Sequence, residues 1–206
     1  MAKSKSNPWM TQHVNDPYVK RASAEGMRSR AAYKLMQIND RDKLIRPGML
    51  VVDLGAAPGG WSQVAGRIVS SSGRVVAIDL LDMAPVPAVT FIRGDFSEDA
   101  GLVALERALA GAPVDLVLSD MAPNISGIAM ADQSRQMGLV ELALDFSVKH
   151  LKPEGNFLVK TFQGSGFDAY VQLMRVAFKV VQTRKPDASR KGSREVYLLG
   201  RGLRQD

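Results

Sequence analysis

The sequence predicts an α/β fold in which a mostly parallel sheet of seven strands, one of them antiparallel, carries helices on both faces. Two observations support this prediction. From residue 49 onward, short apolar runs alternate with amphipathic runs of helical period, and strands that alternate with helices pair in parallel. The chain then closes on two strand-like runs without a helix between them, so one of them must run antiparallel to the rest. A length of 206 residues with 46% hydrophobic content suits one domain with its own core.

The individual elements follow from local composition. The strand-like runs are short, rich in Val, Ile, Leu and Phe, and bounded by turn residues. They cover residues 49–54, 74–80, 89–95, 114–120, 155–162, 180–185 and 195–202. The helix-like runs between them cover residues 61–69, 97–111, 133–151 and 166–178, with Ser97 as an expected N-cap. In an open sheet of this kind, ligands bind beyond the carboxyl ends of the strands.

The N-terminal region differs from this alternating pattern. We expect a basic, irregular arm over residues 1–20 and one helix over residues 23–38. The segment 21–46 would then add a helix to a single domain spanning residues 1–206. No apolar run is long enough to cross a membrane, and the first residues lack the apolar segment of a signal peptide, so we expect a cytoplasmic protein. With no Cys and two His, neither a disulfide nor a metal centre is expected.

Charge is distributed unevenly along the chain, whose net charge is +6. Residues 1–46 hold ten Lys or Arg against four Asp or Glu, and residues 175–206 hold nine against three. The stretch 47–174 between them holds eight against fourteen. Two basic ends around an acidic middle favour a polyanionic partner, RNA or DNA.

A glycine-rich loop, VVDLGAAPGGWSQ, joins the first predicted strand to the helix after it. Small residues let the backbone approach a ligand closely, and a helix N-terminus offers free N–H groups. Asp79 ends the second strand, where it could accept both hydroxyls of a ribose, and Asp95 follows the third, where it could accept from an adenine amino group. The loop holds no Lys or Arg and lacks the GxGxxG pattern of nicotinamide-dependent oxidoreductases. We therefore expect S-adenosylmethionine, whose sulfonium is cationic and which has no phosphate.

Four polar residues are expected to meet at one end of the sheet. Asp120 ends the fourth strand and Lys160 lies near the end of the fifth, so parallel neighbours would bring them together. Glu195 begins the last strand, which reaches the same edge if it is antiparallel and next to the fifth. Lys34 falls on the predicted buried face of the N-terminal helix, with Met27, Ala31 and Ile38.

The closing hairpin resembles the arrangement of class I methyltransferases, and four segments make the resemblance specific. GAAPGGWSQ, SDMAPNISG, FLVKTFQG and RKGSREVYLLG resemble the FtsJ/RrmJ type of 2′-O-ribose RNA methyltransferases. The resemblance implies a catalytic set of Lys34, Asp120, Lys160 and Glu195. Around Lys34, GMRSRAAYKL is similar to the bacterial branch, which implies a uridine in the A loop of 23S rRNA as target, within the 50S subunit or a late precursor, and a monomeric enzyme. The predicted cofactor-binding residues are Asp53, Gly55, Pro58, Gly59, Gly60, Trp61, Asp79, Leu80, Asp95, Phe96 and Asp120.

The chemistry expected of this set leaves two roles open for Lys160. As a general base it must be a neutral amine, which burial and the Lys34 ammonium favour and which Asp120 and Glu195 oppose. Alternatively, it stays charged and stabilises the developing alkoxide, while Lys34 and Glu195 orient the ribose. Asp120 would then hold the methionine end of the cofactor in line.

The expected RNA contacts come from the two basic ends. They are Lys20, Arg21, Arg28, Arg30, Arg184, Lys185, Arg190, Lys191 and Arg194. The motifs do not separate rRNA from a tRNA anticodon loop or an mRNA cap, although the segment around Lys34 favours rRNA. A non-catalytic RNA-binding module is the remaining alternative, and the intact four-residue set argues against it.

Overall fold

A computed structural model of the chain describes residues 16–123, 126–190 and 192–204. Seven strands in these ranges form one sheet in the order β3-β2-β1-β4-β5-β7-β6. They are β1 (Leu50–Leu54), β2 (Arg74–Asp79), β3 (Val89–Arg93), β4 (Val114–Ser119), β5 (Leu151–Phe162), β6 (Phe178–Arg184) and β7 (Glu195–Leu203). Only β7 runs antiparallel to its neighbours, and it is inserted between β5 and β6. The predicted mixed sheet is confirmed.

Helices cover both faces of the sheet, as predicted. They are α1 (Pro17–Ala24), α2 (Ala31–Asp42), α3 (Gly60–Val69), α4 (Asp99–Leu109), α5 (Ala129–His150) and α6 (Phe167–Ala177). One apolar core lies between the sheet and α4, α5 and α6, and a second lies between the sheet and α1, α2 and α3. The alternation of strand side chains between the two faces supplies both cores. No helix among the described residues combines the length and apolar content needed to cross a bilayer.

The N-terminal helix differs from its prediction as one element over residues 23–38. The structure has two helices instead, because the chain turns at Gly26, whose φ of +64° is a left-handed conformation that favours glycine. The first helix begins after Asp16, whose carboxylate accepts from the Tyr18 N–H at 2.9 Å. Of the predicted arm, residues 1–15 lie outside the described residues.

A second difference concerns the start of α4. Ser97 is not its N-cap, because the helix begins at Asp99 with Glu98 before it. The Ser97 hydroxyl donates instead to Asp95 Oδ1 at 2.6 Å. The side chain thus fixes the acidic turn after β3 rather than the helix terminus.

Strand register places the ends of β4, β5 and β7 together. Ser119 pairs with Val159 in parallel register, so the residues that follow them, Asp120 and Lys160, are neighbours. Lys160 pairs in turn with Tyr197 in antiparallel register. The carboxyl ends of β4 and β5 and the amino end of β7 therefore share one edge of the sheet.

Candidate active site

Lys160 and Asp120 form a buried ion pair at this edge. Only 7% of Lys160 is exposed, and its Nζ lies 3.1 Å from Asp120 Oδ1. The same ammonium donates to the Asp120 backbone carbonyl at 2.5 Å. A lysine at the end of an apolar strand is thus held by two oxygens of one residue, which offset the cost of removing its charge from water.

Lys34 and Glu195 form a second ion pair beside the first. Lys34, on α2, donates to both carboxylate oxygens of Glu195, at 2.7 and 2.8 Å. Burial by itself raises the pKa of Glu195, but the Lys34 ammonium, the Ser189 hydroxyl and Lys160 together outweigh it, so this pKa lies below its usual range. Glu195 is therefore a carboxylate at neutral pH.

Tyr197 connects the two ion pairs. Its buried hydroxyl lies 3.2 Å from Asp120 Oδ1 and 3.4 Å from Glu195 Oε1, and it can donate to either carboxylate. Burial, then the charges of Asp120 and Glu195, raise the pKa of Tyr197 well above its usual value, so the phenol keeps its proton. Its ring packs against Trp61 at 5.6 Å between centroids, and Lys34 Nζ lies 5.7 Å from the ring centroid.

A charged clamp fixes α2, the helix that carries Lys34, to the far edge of the sheet. Asp42, at its C-terminal end, accepts two hydrogen bonds from the Arg184 guanidinium, both at 2.7 Å. Arg201 on β7 donates to the same carboxylate at 3.0 Å. The pKa of Asp42 is lowered by Arg184 first, against burial, and then by Arg201. Bidentate arginine pairing orients the helix as well as binding it.

Each ion pair contributes residues to a cavity, Asp120 to the first and Lys34 with Glu195 to the second. The first, a cleft of about 380 Å³, lies beyond the ends of β1, β2 and β4 and reaches Asp120. Its other lining residues are Gly55, Ala57, Ile78, Asp79, Leu80, Leu81, Gly94, Asp95, Phe96, Ser97, Met121, Ala122 and Leu139. The second cavity, of about 230 Å³, is lined by Arg30, Lys34, Arg190, Ser193 and Glu195. Tyr197 lies between Asp120 of the first cavity and Glu195 of the second, within hydrogen-bonding distance of both. Lys160 lies beside it and pairs with Asp120.

Comparison with known proteins identifies the family. Residues 27–203 match the model of the FtsJ-like methyltransferases. The chain belongs to this family. It is 63% identical to a protein of Azoarcus sp. over 199 residues, 97% of each chain, and 59% identical to one of Chromobacterium violaceum over 99% of this chain and 100% of the other. Both relatives carry the name ribosomal RNA large subunit methyltransferase E.

Solved structures support the same assignment. A Plasmodium falciparum protein described as a ribosomal RNA methyltransferase superposes with a TM-score of 0.76 at 28% identity, over 85% of this chain and 98% of that one. A Clostridium thermocellum protein at 17% identity, with a TM-score of 0.56, shares the fold. The FtsJ-like chain therefore has the fold and the relatives of a methyltransferase.

The cleft of this methyltransferase fits the S-adenosylmethionine that the sequence predicts. Of the lining side chains that the structure describes, three are carboxylates and none is Lys or Arg, which suits a cation. Asp79 keeps an acceptor site on each oxygen, since Oδ2 accepts from the Ala57 N–H at 2.9 Å and Oδ1 from the Leu81 N–H at 2.8 Å. Phe96 and Leu139 supply apolar walls for an adenine. Gly55, Leu80 and Asp95 also lie where the sequence predicts contact with the cofactor.

The remaining predicted cofactor residues do not line the cleft. Trp61 is buried and donates from its indole N–H to the Ala31 carbonyl at 2.9 Å. This hydrogen bond fixes the indole ring that packs against Tyr197. Gly59 and Gly60 are buried at the start of α3, and a Cβ on Gly60 would lie 2.3 Å from Ser29 Oγ, so a larger residue there would require the Ser29 hydroxyl to rotate away. Pro58 is exposed beside them.

Asp53, another predicted cofactor residue, is completely buried. Its Oδ2 accepts from the Ser62 hydroxyl at 2.6 Å, and its Oδ1 has no hydrogen-bond partner among the described residues. Burial is the main cause that raises the pKa of Asp53 to about 7, against the Ser62 hydrogen bond and with help from the charges of Asp120 and Asp79. A carboxyl group in this position holds its proton through much of the acidic range.

The predicted RNA-binding residues divide into two groups. Arg190 lines the second cavity, and Lys20 and Arg194 are exposed. Arg21 is also exposed and pairs with Glu25. Lys191 lies outside the described residues.

The other predicted RNA-binding cations are used by the fold. Arg184 is buried in the clamp on Asp42, so its guanidinium is not offered to a phosphate, and we do not retain it as an RNA contact. Arg28 donates to the carbonyls of Ala84 and Pro85, both at 2.5 Å. Arg30, which also lines the second cavity, pairs with Asp16 and donates to the Ala188 carbonyl, and Lys185 donates to the carbonyls of Ser193 and Glu195.

Sequence reasoning missed Tyr197 and Ser189, whose hydroxyls lie within hydrogen-bonding distance of side chains of the predicted catalytic set. Tyr197 could have been found, because it lies two positions after Glu195 in a strand and so points to the same face. Ser189 lies in a loop between strands, where no periodicity indicates its direction.

Proposed function

We propose that this chain transfers a methyl group from S-adenosylmethionine to the 2′-hydroxyl of a uridine in the A loop of 23S rRNA, within the 50S subunit or a late precursor. The observation that carries the proposal is the position of Lys160 and its partners. They stand where an acidic cleft, suited to a cationic donor, adjoins a cavity lined mostly by cations, suited to RNA. The named relatives support rRNA as the acceptor, and the segment around Lys34 favours the A loop.

The second cavity is proposed to receive the acceptor ribose. The Lys34 ammonium, held by both oxygens of Glu195, faces this cavity and orients the sugar through its remaining hydrogen-bond donor capacity. Arg190 reaches the same cavity, where it would contact a backbone phosphate. A cavity of about 230 Å³ is far too small for a duplex, so we expect the target nucleotide to be unpaired or extruded from its helix.

Lys160 is the group proposed to act on the acceptor hydroxyl. Asp120 holds its Nζ at 3.1 and 2.5 Å, at the end of the donor cleft. If Lys160 first gives up the proton that its pair with Asp120 holds, its amine takes the proton of the 2′-hydroxyl while the oxygen forms its bond to the methyl carbon. If it stays an ammonium, it stabilises the developing alkoxide instead. Bound S-adenosylmethionine would supply that electrophilic methyl group and leave as the neutral thioether. Holding both reactants in line accounts for a large part of the expected acceleration.

Methylation mapping tests this proposal. Purified enzyme and labelled S-adenosylmethionine are incubated with 50S subunits or 23S rRNA from cells that lack the corresponding gene. We expect one 2′-O-methylated uridine in the A loop, detected as a bond resistant to alkaline cleavage. Ribosomal RNA from wild-type cells, already methylated there, serves as the control and should take up no label. Label on a base, or label on tRNA in place of rRNA, would contradict the proposal.

A further inference from the structure

The loop between β6 and β7, residues 185–194, is hydrogen-bonded to the helix that carries Lys34 and to the backbone of Glu195. We call this segment the β6–β7 loop. Its Ala188 N–H donates to Gln37 Oε1 on α2 at 2.9 Å, and the Ala188 carbonyl accepts from Arg30. At the base of the loop, Lys185 donates to the carbonyls of Ser193 and Glu195. The loop is therefore positioned by the same helix that carries Lys34.

Ser189 in this loop contacts the catalytic carboxylate directly. Its hydroxyl donates to Glu195 Oε1 at 2.9 Å, and the residue is 8% exposed. The same oxygen accepts from Lys34 at 2.7 Å and faces the Tyr197 hydroxyl at 3.4 Å. Three donors from α2, β7 and the β6–β7 loop thus converge on one carboxylate oxygen, which determines the rotation of the carboxylate plane.

The hydroxyl is not needed to form the loop. The turn at this point is closed by the backbone, because the Ser189 N–H donates to the Pro186 carbonyl at 2.9 Å. The neighbouring Ala188 makes its hydrogen bonds with Arg30 and Gln37 through backbone groups, and its buried side chain belongs to the same apolar core as α2. Alanine at position 189 would therefore keep the loop and remove one donor from Glu195.

We infer that Ser189 is a positioning residue for methyl transfer, whose hydroxyl fixes the Glu195 carboxylate so that both of its oxygens stay on Lys34. Its catalytic consequence rests on the proposed function. The Ser189 hydrogen bond also contributes, after Lys34, to holding the pKa of Glu195 below its usual range, with Lys160 acting in the same direction. Removing the hydroxyl should loosen the carboxylate and raise this pKa.

Steady-state kinetics of Ser189→Ala test the inference. We expect kcat to fall about tenfold, the loss typical of one hydrogen bond to a charged group, with KM for S-adenosylmethionine unchanged. The acidic limb of the pH–rate profile should move to higher pH, and Ser189→Thr, which keeps a hydroxyl, should restore it. Ser147→Ala is the matched control, since Ser147 is equally buried and its hydroxyl bonds only the Ala143 carbonyl within α5, away from the site.

Two further measurements separate positioning from a structural role. In a Glu195→Gln background, Ser189→Ala should cost nothing more, because the donor acts through the carboxylate. NMR titration of the Glu195 side-chain carbon should show a higher pKa in Ser189→Ala than in the wild type. A wild-type kcat with an unmoved titration overturns the inference, and so does a loss that adds in full to Glu195→Gln. A wild-type enzyme that methylates nothing contradicts the proposed function instead, and the titration then still decides the role of Ser189.

Discussion

The two cavities of this FtsJ-like methyltransferase differ in charge and in the part of the chain that builds them. The donor cleft is lined by residues from Gly55 to Leu139, all from the acidic middle of the sequence. The acceptor cavity is lined by Arg30 and Lys34 from one basic end and by Arg190, Ser193 and Glu195 from the other. The charge pattern along the sequence thus matches the two proposed sites, an acidic cleft for a cationic donor and a mainly cationic cavity for a polyanion. Lys160 pairs with Asp120 of the cleft.

The largest effect on turnover is expected from substitutions of Lys160. Lys160→Ala should lower kcat by about 10²–10⁴, the range of a lost proton-transfer group, while leaving S-adenosylmethionine affinity unchanged because Lys160 does not line the donor cleft. Rapid-quench turnover and calorimetric binding measure the two. Lys160→Arg then separates the roles, since arginine keeps the charge and is not deprotonated. An active Lys160→Arg would assign charge stabilisation to this residue in place of proton transfer.

A second, smaller effect is expected on the pH dependence of stability, from Asp53 beside the donor cleft. Its pKa of about 7 lies above the value of about 4 for an unfolded chain, so the folded state binds more protons between these limits. Stability contributed by the neutral carboxyl is therefore present at low pH and is lost as the pH rises toward 7. Asp53→Asn should be more stable than the wild type by about 2–4 kcal/mol at pH 8, and the difference should vanish near pH 4.

Urea unfolding at pH 4, 6 and 8 measures this difference. Ser62→Ala is the matched control, because it removes the hydroxyl that Asp53 accepts from and should destabilise the wild type most at high pH, where the carboxylate needs its donor. A stability gap between Asp53→Asn and the wild type that does not change with pH would show that folding does not raise the pKa of Asp53.

The smallest effect is expected in the acceptor half. Arg190→Ala should weaken rRNA binding several-fold and reduce the slope of log affinity against log salt by about one, because one phosphate contact is lost. Filter binding over a salt series measures both. Arg175→Ala, an exposed arginine on α6 across the sheet, is the control and should change neither. Equal effects of the two variants would mean that net charge, rather than the cavity, attracts the RNA.

The fold and three of the four members of the predicted catalytic set follow from sequence because strand order determines them. Asp120 and Lys160 lie at matching ends of β4 and β5, so parallel pairing alone brings them together. Glu195 joins them because β7 is antiparallel and adjacent to β5. The meeting of Lys34 with Glu195 was predicted only as a shared face, since the angle of a helix over a sheet depends on packing.

Two kinds of feature could not be predicted from the sequence, namely breaks in regular backbone and the partners of buried charges. Gly26 divides the N-terminal helix, and a helical pattern of apolar residues on both sides of it conceals the break. Arg184 resembles an RNA contact in a basic segment, but a carboxylate on α2 binds it. The partner of a charged residue depends on which distant segments pack together, and local composition does not indicate this.

Lys34 and Glu195 are separated by 161 positions in the chain, and the sequence between them builds the complete donor half. Contacts this distant form late, because the entropy of closing so long a loop must be overcome first. A polypeptide that has been synthesised only as far as β5 lacks Glu195, so its second cavity is incomplete. Methyl transfer should therefore require β7 as well as α2, so measured turnover would report on the pairing of these two distant elements.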